Sequence, residues 1–223
     1  MRMSCIRRWS SVVFFLVCTT ALAAVEDNTA WTLVEDSDGI QVFKKEIPGS
    51  DVIAFRGETM IEASAEKLWW VLEDAKHEHE WVDRLAVNVV LEQFGPYDRV
   101  QYQSFDLPWP ISDRDFVYRA VCTQPKEGLF RIVLNSVEHP KSSSSTGVRG
   151  DIIESSIILE RKGPNLTYVI VEILSDPKGL IPVWLINLLQ ESWPRETLVG
   201  MRKQVTKSFV SESALPEISP PPL

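Results

Sequence analysis

The stretch Asp176-Pro177-Lys178-Gly179-Leu180-Ile181-Pro182-Val183-Trp184-Leu185-Ile186-Asn187 constrains this 223-residue chain more than any other. A turn rich in Pro and Gly ends an extended apolar segment there. Pro182 stands where the first turn of a helix begins, a position proline tolerates because its missing N–H has no helical partner anyway. A long, largely apolar helix is expected from there toward Lys207. Trp184, Leu185, Leu188, Leu189 and Trp193 crowd its first half, and Leu198, Met201 and Val205 continue at helical spacing. Pro194 falls inside this pattern and is expected to kink the helix or divide it.

Almost everything before that helix reads as strand. Trp31–Glu46 alternates around the turn signal Ser37-Asp38-Gly39, which predicts a hairpin. Val52–Ile61 is the next strand. Ser64 is a suitable N-cap for a helix whose buried stripe is Leu68, Val71, Leu72 and Ala75, and a short helix or turn follows at His79–Asp83. Further strands are expected at Leu85–Phe94, Arg99–Asp106, Asp115–Thr123, Leu129–Glu138, Gly150–Arg161 and Leu166–Leu174. Gly95-Pro96-Tyr97-Asp98, Pro125-Lys126-Glu127-Gly128 and Gly163-Pro164-Asn165 are turn chemistry between them, and hairpin spacing makes the sheet antiparallel.

The two-residue side-chain period assigns an inner face. Phe116, Tyr118, Ala120 and Cys122 oppose Asp115 and Arg119, whose face is expected to be wet. Phe130, Ile132 and Leu134 oppose Arg131. Ile153, Ile157 and Leu159 oppose Glu154 and Glu160. Val169, Val171 and Ile173 oppose Glu172. Four strands thus offer one apolar face, and the terminal helix is the element available to cover it.

The N-terminus carries a different signal. Arg2, Arg7 and Arg8 precede the apolar run Val12–Val17, and Ala21-Leu22-Ala23 forms an A-x-A cleavage site. Residues 1–23 therefore read as a secretory signal peptide, which implies a secreted or periplasmic protein. Cleavage would remove three arginines and no acid, taking the net charge from −8 to −11. Such acidity excludes a phosphate-tracking nucleic-acid binder and broad electrostatic adhesion to anionic membranes. Cys5 and Cys18 would leave with the signal. The remaining Cys122 cannot form an internal disulfide and reads as a small buried hydrophobe. Residues 24–209 form the domain, and 210–223, ending in Pro220-Pro221-Pro222-Leu223, read as a disordered tail.

Catalytic signals are sparse. His77-Glu78-His79-Glu80 is the one tempting metal cluster, but helical residues two apart do not face each other, and it reads as a solvated helix end. No G-x-S-x-G elbow or phosphate-cradling glycine loop is present. Arg114, between Asp113 and Asp115, reads as tying a turn together. The apolar loop Leu107-Pro108-Trp109-Pro110-Ile111 has two readings, core packing or the lip of a cavity that touches membrane. Tryptophan suits such a wet-to-apolar boundary.

Pro108-Trp109-Pro110-Ile111-Ser112-Asp113-Arg114-Asp115-Phe116-Val117 resembles the loop-strand junction of START domains, the steroidogenic-acute-regulatory-related lipid-transfer modules. Asp176–Trp184 is similar to the entry to their last helix, and the element order agrees across Trp31–Lys207. The resemblance implies an α+β helix-grip (START/Bet v 1-like) fold, a curved antiparallel sheet wrapped around a long C-terminal helix. It also implies a cavity for one lipid or sterol-like molecule, with a mouth between that helix and the 108–113 loop. Some members carry a cavity arginine six residues after the one in this motif. The equivalent position here is Ala120, and Gln101 and Gln103 stand where an acidic partner would be sought. A more neutral pocket follows.

The sequence therefore points to a monomeric lipid carrier or sensor of the cell envelope, with no cofactor, no metal and no catalytic residue. Tyr102, Ser104, Tyr118, Ser155 and Asn187 are the candidate polar contacts of its cavity. Phe116, Val169, Val171, Trp184, Leu188 and Met201 are the candidate walls, and Leu107, Pro108, Trp109, Pro110 and Ile111 the mouth. The partners are a hydrophobic small molecule and, transiently, a membrane. The alternatives are a cyclase- or hydrolase-type enzyme on the same fold and an accessory module whose apolar lip binds a protein.

Overall fold

The computed structural model describes residues 30–95, 98–142, 145 and 147–215. The expected signal segment and the Pro-rich end lie outside them. In chain order the elements are β1 (Thr32–Ser37), β2 (Ile40–Lys45), β3 (Ala54–Ile61), α1 (Ala65–Glu73), β4 (Leu85–Gly95), β5 (Asp98–Phe105), β6 (Arg114–Lys126), β7 (Leu129–Ser136), β8 (Val148–Arg149), β9 (Asp151–Gly163), β10 (Leu166–Asp176) and α2 (Val183–Gln204). Short 3-10 turns sit at Glu78–Glu80 and Pro140–Ser142. The fold is the helix-grip α+β architecture.

One ten-stranded sheet runs in the order β1-β2-β3-β10-β9-β7-β6-β5-β4, antiparallel throughout its main path. The two-residue strand β8, which the sequence pattern does not reveal, pairs parallel to the start of β6. Sequence-distant β3 and β10 meet from Thr167↔Ile61 to Ile173↔Phe55. That pairing joins the N-terminal three strands to the rest and places β2, β3 and β10 beneath α2.

Ser64 caps α1 as expected, accepting from the Lys67 amide. The helix ends at Glu73, so Ala75 lies beyond it and is exposed, while Ala65 and Trp69 join the buried stripe. α2 runs unbroken through Pro194, so the expected division does not occur. Its close approach to the sheet is set by glycine. A Cβ on Gly57 of β3 would lie 2.9 Å from both Pro194 Cβ and Leu198 Cδ1, and one on Gly200 of α2 would lie 2.2 Å from the Trp81 carbonyl oxygen.

The core sits between the sheet, α1 and the second half of α2. Ile40, Leu68, Leu159, Val169, Val171, Leu198 and Met201 are fully buried there, with Trp69 packed against Phe130. The described residues 210–215, read from the sequence as the start of the disordered tail, return along α1. Val210 and Leu215 pack on the core, and the Ser213 amide donates to the Glu66 carbonyl.

Candidate functional site: a cavity under the terminal helix

The inner face of the sheet changes character along each strand. On β10, Val169 and Val171 are packed core, whereas Ile173 and Ser175 face a cavity. The same change falls between Leu159 and Ser155 on β9, between Phe130 and Leu134 on β7, and between Ala120 and Tyr118 on β6. On α2 it falls between Leu198 and Thr197. The first half of that helix roofs the void with Ile186, Leu189, Gln190 and Trp193. The cavity measures about 250 Å³.

Of the residues anticipated as its lining, Phe116, Tyr118 and Ser155 lie on the wall and Leu107 at the rim. Val169, Val171 and Met201 belong instead to the solid core at the other end. Trp184 and Leu188 point outward and are exposed, because the helix turns Ile186, Leu189 and Trp193 toward the sheet. Asn187 fastens the helix start, accepting from the Ile53 amide and donating to the Asp51 carbonyl. Tyr102 and Ser104 occupy the far side of β5, since Gln103 and Phe105 are its cavity-facing residues. Tyr102 donates there to Asp115 at 3.2 Å.

Two parity expectations also change. Asp115 is fully buried rather than wet. Arg149 and Ser145 from the segment crossing outside β6 both donate to its carboxylate. On β9, a register shift opposite Leu174/Ser175 inserts Ile153 as an extra residue. Ile153 is therefore exposed and Ile152 faces the cavity, as a bulge reverses the alternation beyond it.

Sequence reasoning missed Glu78. Far from ending a solvated helix, it lines the cavity. Its carboxylate accepts from Gln103 Nε2 at 2.8 Å and from Asn88 Nδ2. Asn88 in turn accepts from Gln101, which accepts from Arg99. Burial pushes the Glu78 carboxyl from 4.5 up to about 7, against the lowering effects of the Gln103 hydrogen bond and the Arg99 charge. Beside it the Tyr118 phenol is raised well above its usual range, by burial first and then by Glu78. The available signal was Gln101 and Gln103. Two amides at period two on one strand face need buried polar partners.

The mouth is held by Arg114. Its guanidinium donates to the Pro177 carbonyl at 2.6 Å, to Lys178 at 3.0 Å, and to the carbonyls of Ser112 and Asp113. The 107–113 loop and the turn before α2 are thereby joined. Pro108 and Pro110 sit in that loop, the latter after a cis Trp109–Pro110 bond. Trp109 and Ile111 line a shallow groove that Val148 shares. Trp109 is 93% exposed and Leu180, on the other lip, fully so.

A sheet gripping a helix over a mainly apolar void defines a helix-grip cavity protein. The chain belongs to the START domain family, whose family model matches residues 16–208. It is 30% identical to an uncharacterized protein of Pseudomonas aeruginosa over 183 residues, covering 79% of this chain and 87% of that one. It is 25% identical to the phosphatidylcholine transfer protein of Mus musculus, covering 70% of this chain and 75% of the relative. Among solved structures, the STAR-related lipid transfer protein from Xanthomonas axonopodis superposes with a TM-score of 0.69 at 26% identity, over 79% of this chain and 99% of that one.

Proposed function

We propose that this protein binds one hydrophobic ligand, a lipid or sterol-like molecule, in the cavity beneath α2 and carries or senses it in the cell envelope. The observation that carries this reading is the void itself. Packed interiors leave few spaces larger than a water, and this one is walled by Phe105, Phe116, Leu134, Ile157, Ile173 and Leu189. Each ligand CH2 placed there contributes about 0.8 kcal/mol. The volume lies just below the usual ligand-pocket range of about 300–1,000 Å³, which favours a single chain or ring system unless α2 lifts. The names of the mouse and Xanthomonas relatives support lipid transfer as the class of activity.

The exposed lip suggests how a ligand enters. Trp109, Leu180, Val183, Trp184 and Leu188 are all exposed. Gly179, next to Leu180, abuts Arg114 and Val148, and Val148 lines the groove that contains Trp109. With so acidic a chain, contact with a membrane would rest on inserting these apolar groups rather than on charge. The arginine-led apolar run of residues 1–23 supports export to the periplasm or outside the cell. We take the working form to be a monomer.

Extraction of the protein purified from its own cell envelope, followed by lipid mass spectrometry, tests the reading. One ligand per chain is expected, and a ligand-free protein that takes up nothing from mixed vesicles would overturn it. Glu78 favours a second reading, because a carboxyl titrating near neutrality in an apolar cavity suits general acid-base chemistry. A ligand recovered with unchanged mass supports carriage. A mass change abolished in Glu78→Gln supports an enzyme.

A further inference from the structure

We infer that Glu78 and Tyr118 form the recognition site for the ligand's polar end, and that this site takes an uncharged lipid bearing a hydrogen-bond donor such as a hydroxyl while rejecting one that ends in a carboxylate or phosphate. The inference rests on the lipid-cavity reading above and specifies its ligand class.

Position comes first. Arg114, Phe116 and Tyr118 line the cavity in turn from the lip inward along β6, and the next inward-facing residues, Ala120 and Cys122, are packed core. Gln103 lies deeper than Phe105 on β5 by the same pairing, Gln103↔Phe116 and Phe105↔Arg114. Glu78, bonded to Gln103, therefore sits at the closed end. A lipid that enters by its polar end meets this pair last.

Hydrogen-bonding capacity comes second. Tyr118 is 4% exposed overall and lines the cavity, and no hydrogen bond among the described residues uses its hydroxyl, which is not among the buried orphaned polar atoms and so is open to a guest. A cavity-facing hydroxyl with no protein partner is left for a guest or a water to satisfy. Each Glu78 oxygen takes one amide hydrogen, from Gln103 or Asn88, and retains a free lone pair. The pair thus presents acceptors from Glu78 and both a donor and an acceptor from Tyr118. A hydroxyl satisfies both groups, donating to the carboxylate and accepting from the phenol.

Charge excludes the anion. The other acids lining the cavity are Asp83 and Glu196, and its arginines are already engaged: Arg84 with Asp83 at 2.9 Å, and Arg114 with four backbone carbonyls. A carboxylate or phosphate placed beside Glu78 would face a like charge in a poorly solvated space. Burying Glu78 also works against folding, as its raised titration shows.

Three probes with one acyl chain separate the ideas: monooleoylglycerol, methyl oleate and oleate, measured at pH 8 by quenching of Trp81 and Trp193, which line the cavity. Monooleoylglycerol is expected to bind most tightly and oleate about tenfold or more weaker. Tyr118→Phe should lower monooleoylglycerol affinity about 2- to 10-fold toward that of methyl oleate while leaving oleate unchanged. Glu78→Gln should raise oleate affinity severalfold. Equal affinities in the wild-type protein overturn the inference, as does a Glu78→Gln protein with the same selectivity. If either variant unfolds, the wild-type ranking alone decides. Failure of all three lipids to bind overturns the lipid-cavity reading as well.

Discussion

The Arg114 guanidinium reaches from the first residue of β6 to the Pro177 carbonyl at 2.6 Å, across 63 residues of sequence. It also holds the carbonyls of Lys178, Ser112 and Asp113, so the two lips of the mouth are one mechanical unit. Arg114→Gln leaves several of these carbonyls unsatisfied at a site that is 4% exposed. A loss of about 2–4 kcal/mol is expected by urea unfolding. Amide exchange should quicken in both lips, while exchange in the core of β9 and β10 should change only in step with global stability. Quickening in one lip alone would show that the two are not coupled.

α2 lies where it does because two residues lack a Cβ. Gly200→Ala would drive a methyl into the Trp81 carbonyl, and Gly57→Ala into Pro194 and Leu198. Each is expected to destabilise by about 1–3 kcal/mol. Because α2 roofs the cavity, each should also change ligand affinity. Ala at an exposed position of α2 away from the cavity, such as Glu191→Ala, serves as the control for helix propensity.

Glu78 makes stability depend on pH in a definite direction. Its carboxyl keeps its proton to about pH 7 in the folded chain, against an ordinary value of 4.5. Between those values the folded state binds more protons than the unfolded one, so this group's contribution falls as pH rises through the window, by up to about 3 kcal/mol. Glu78→Gln should therefore gain stability over wild type progressively from pH 5 to pH 8. Chemical denaturation at the two pH values checks this, and a constant difference would contradict it.

Trp109 is predicted to act at the membrane and not in the fold. Trp109→Asp should leave thermal stability within about 0.5 kcal/mol, as exposed substitutions generally do. It should reduce vesicle association by about tenfold or more, since burying such a side chain is worth about 1.5–3 kcal/mol. Sedimentation with neutral vesicles gives the measurement, and unchanged association would place the contact elsewhere.

Cys122 is predicted to be inert. Burial, and then the Glu73 charge, pushes its thiol up to about 12, which leaves almost no thiolate at neutral pH. Peptide mapping after maleimide treatment should find Cys122 unlabelled in the folded protein and fully labelled after denaturation.

Several of these features were legible in the chain. The turn at Asp176–Pro182, the Ser64 cap and the inner faces of β6, β7 and β10 follow from local chemistry and a two-residue period. Tyr118 and Phe116 were placed by that period alone. β5 resisted it, because Gln101 and Gln103 on one face and Tyr102 and Ser104 on the other are both polar-compatible. Glu78 and Ile152 resisted it for other reasons. Glu78 owes its environment to amides on β4 and β5, and Ile152 owes its direction to a bulge visible only in the pairing with β10.

By itself the sequence determined which side chains turn inward on β6, β7 and β10, since alternation is a local property. Where that inward face is solid and where it is hollow was decided by tertiary structure. Val171 and Ile173 are the same kind of residue on the same face of one strand, yet one is packed core and the other a cavity wall. Val171 pairs with Gly57, where α2 comes close through Pro194 and Leu198, and that approach joins residues far apart in the chain.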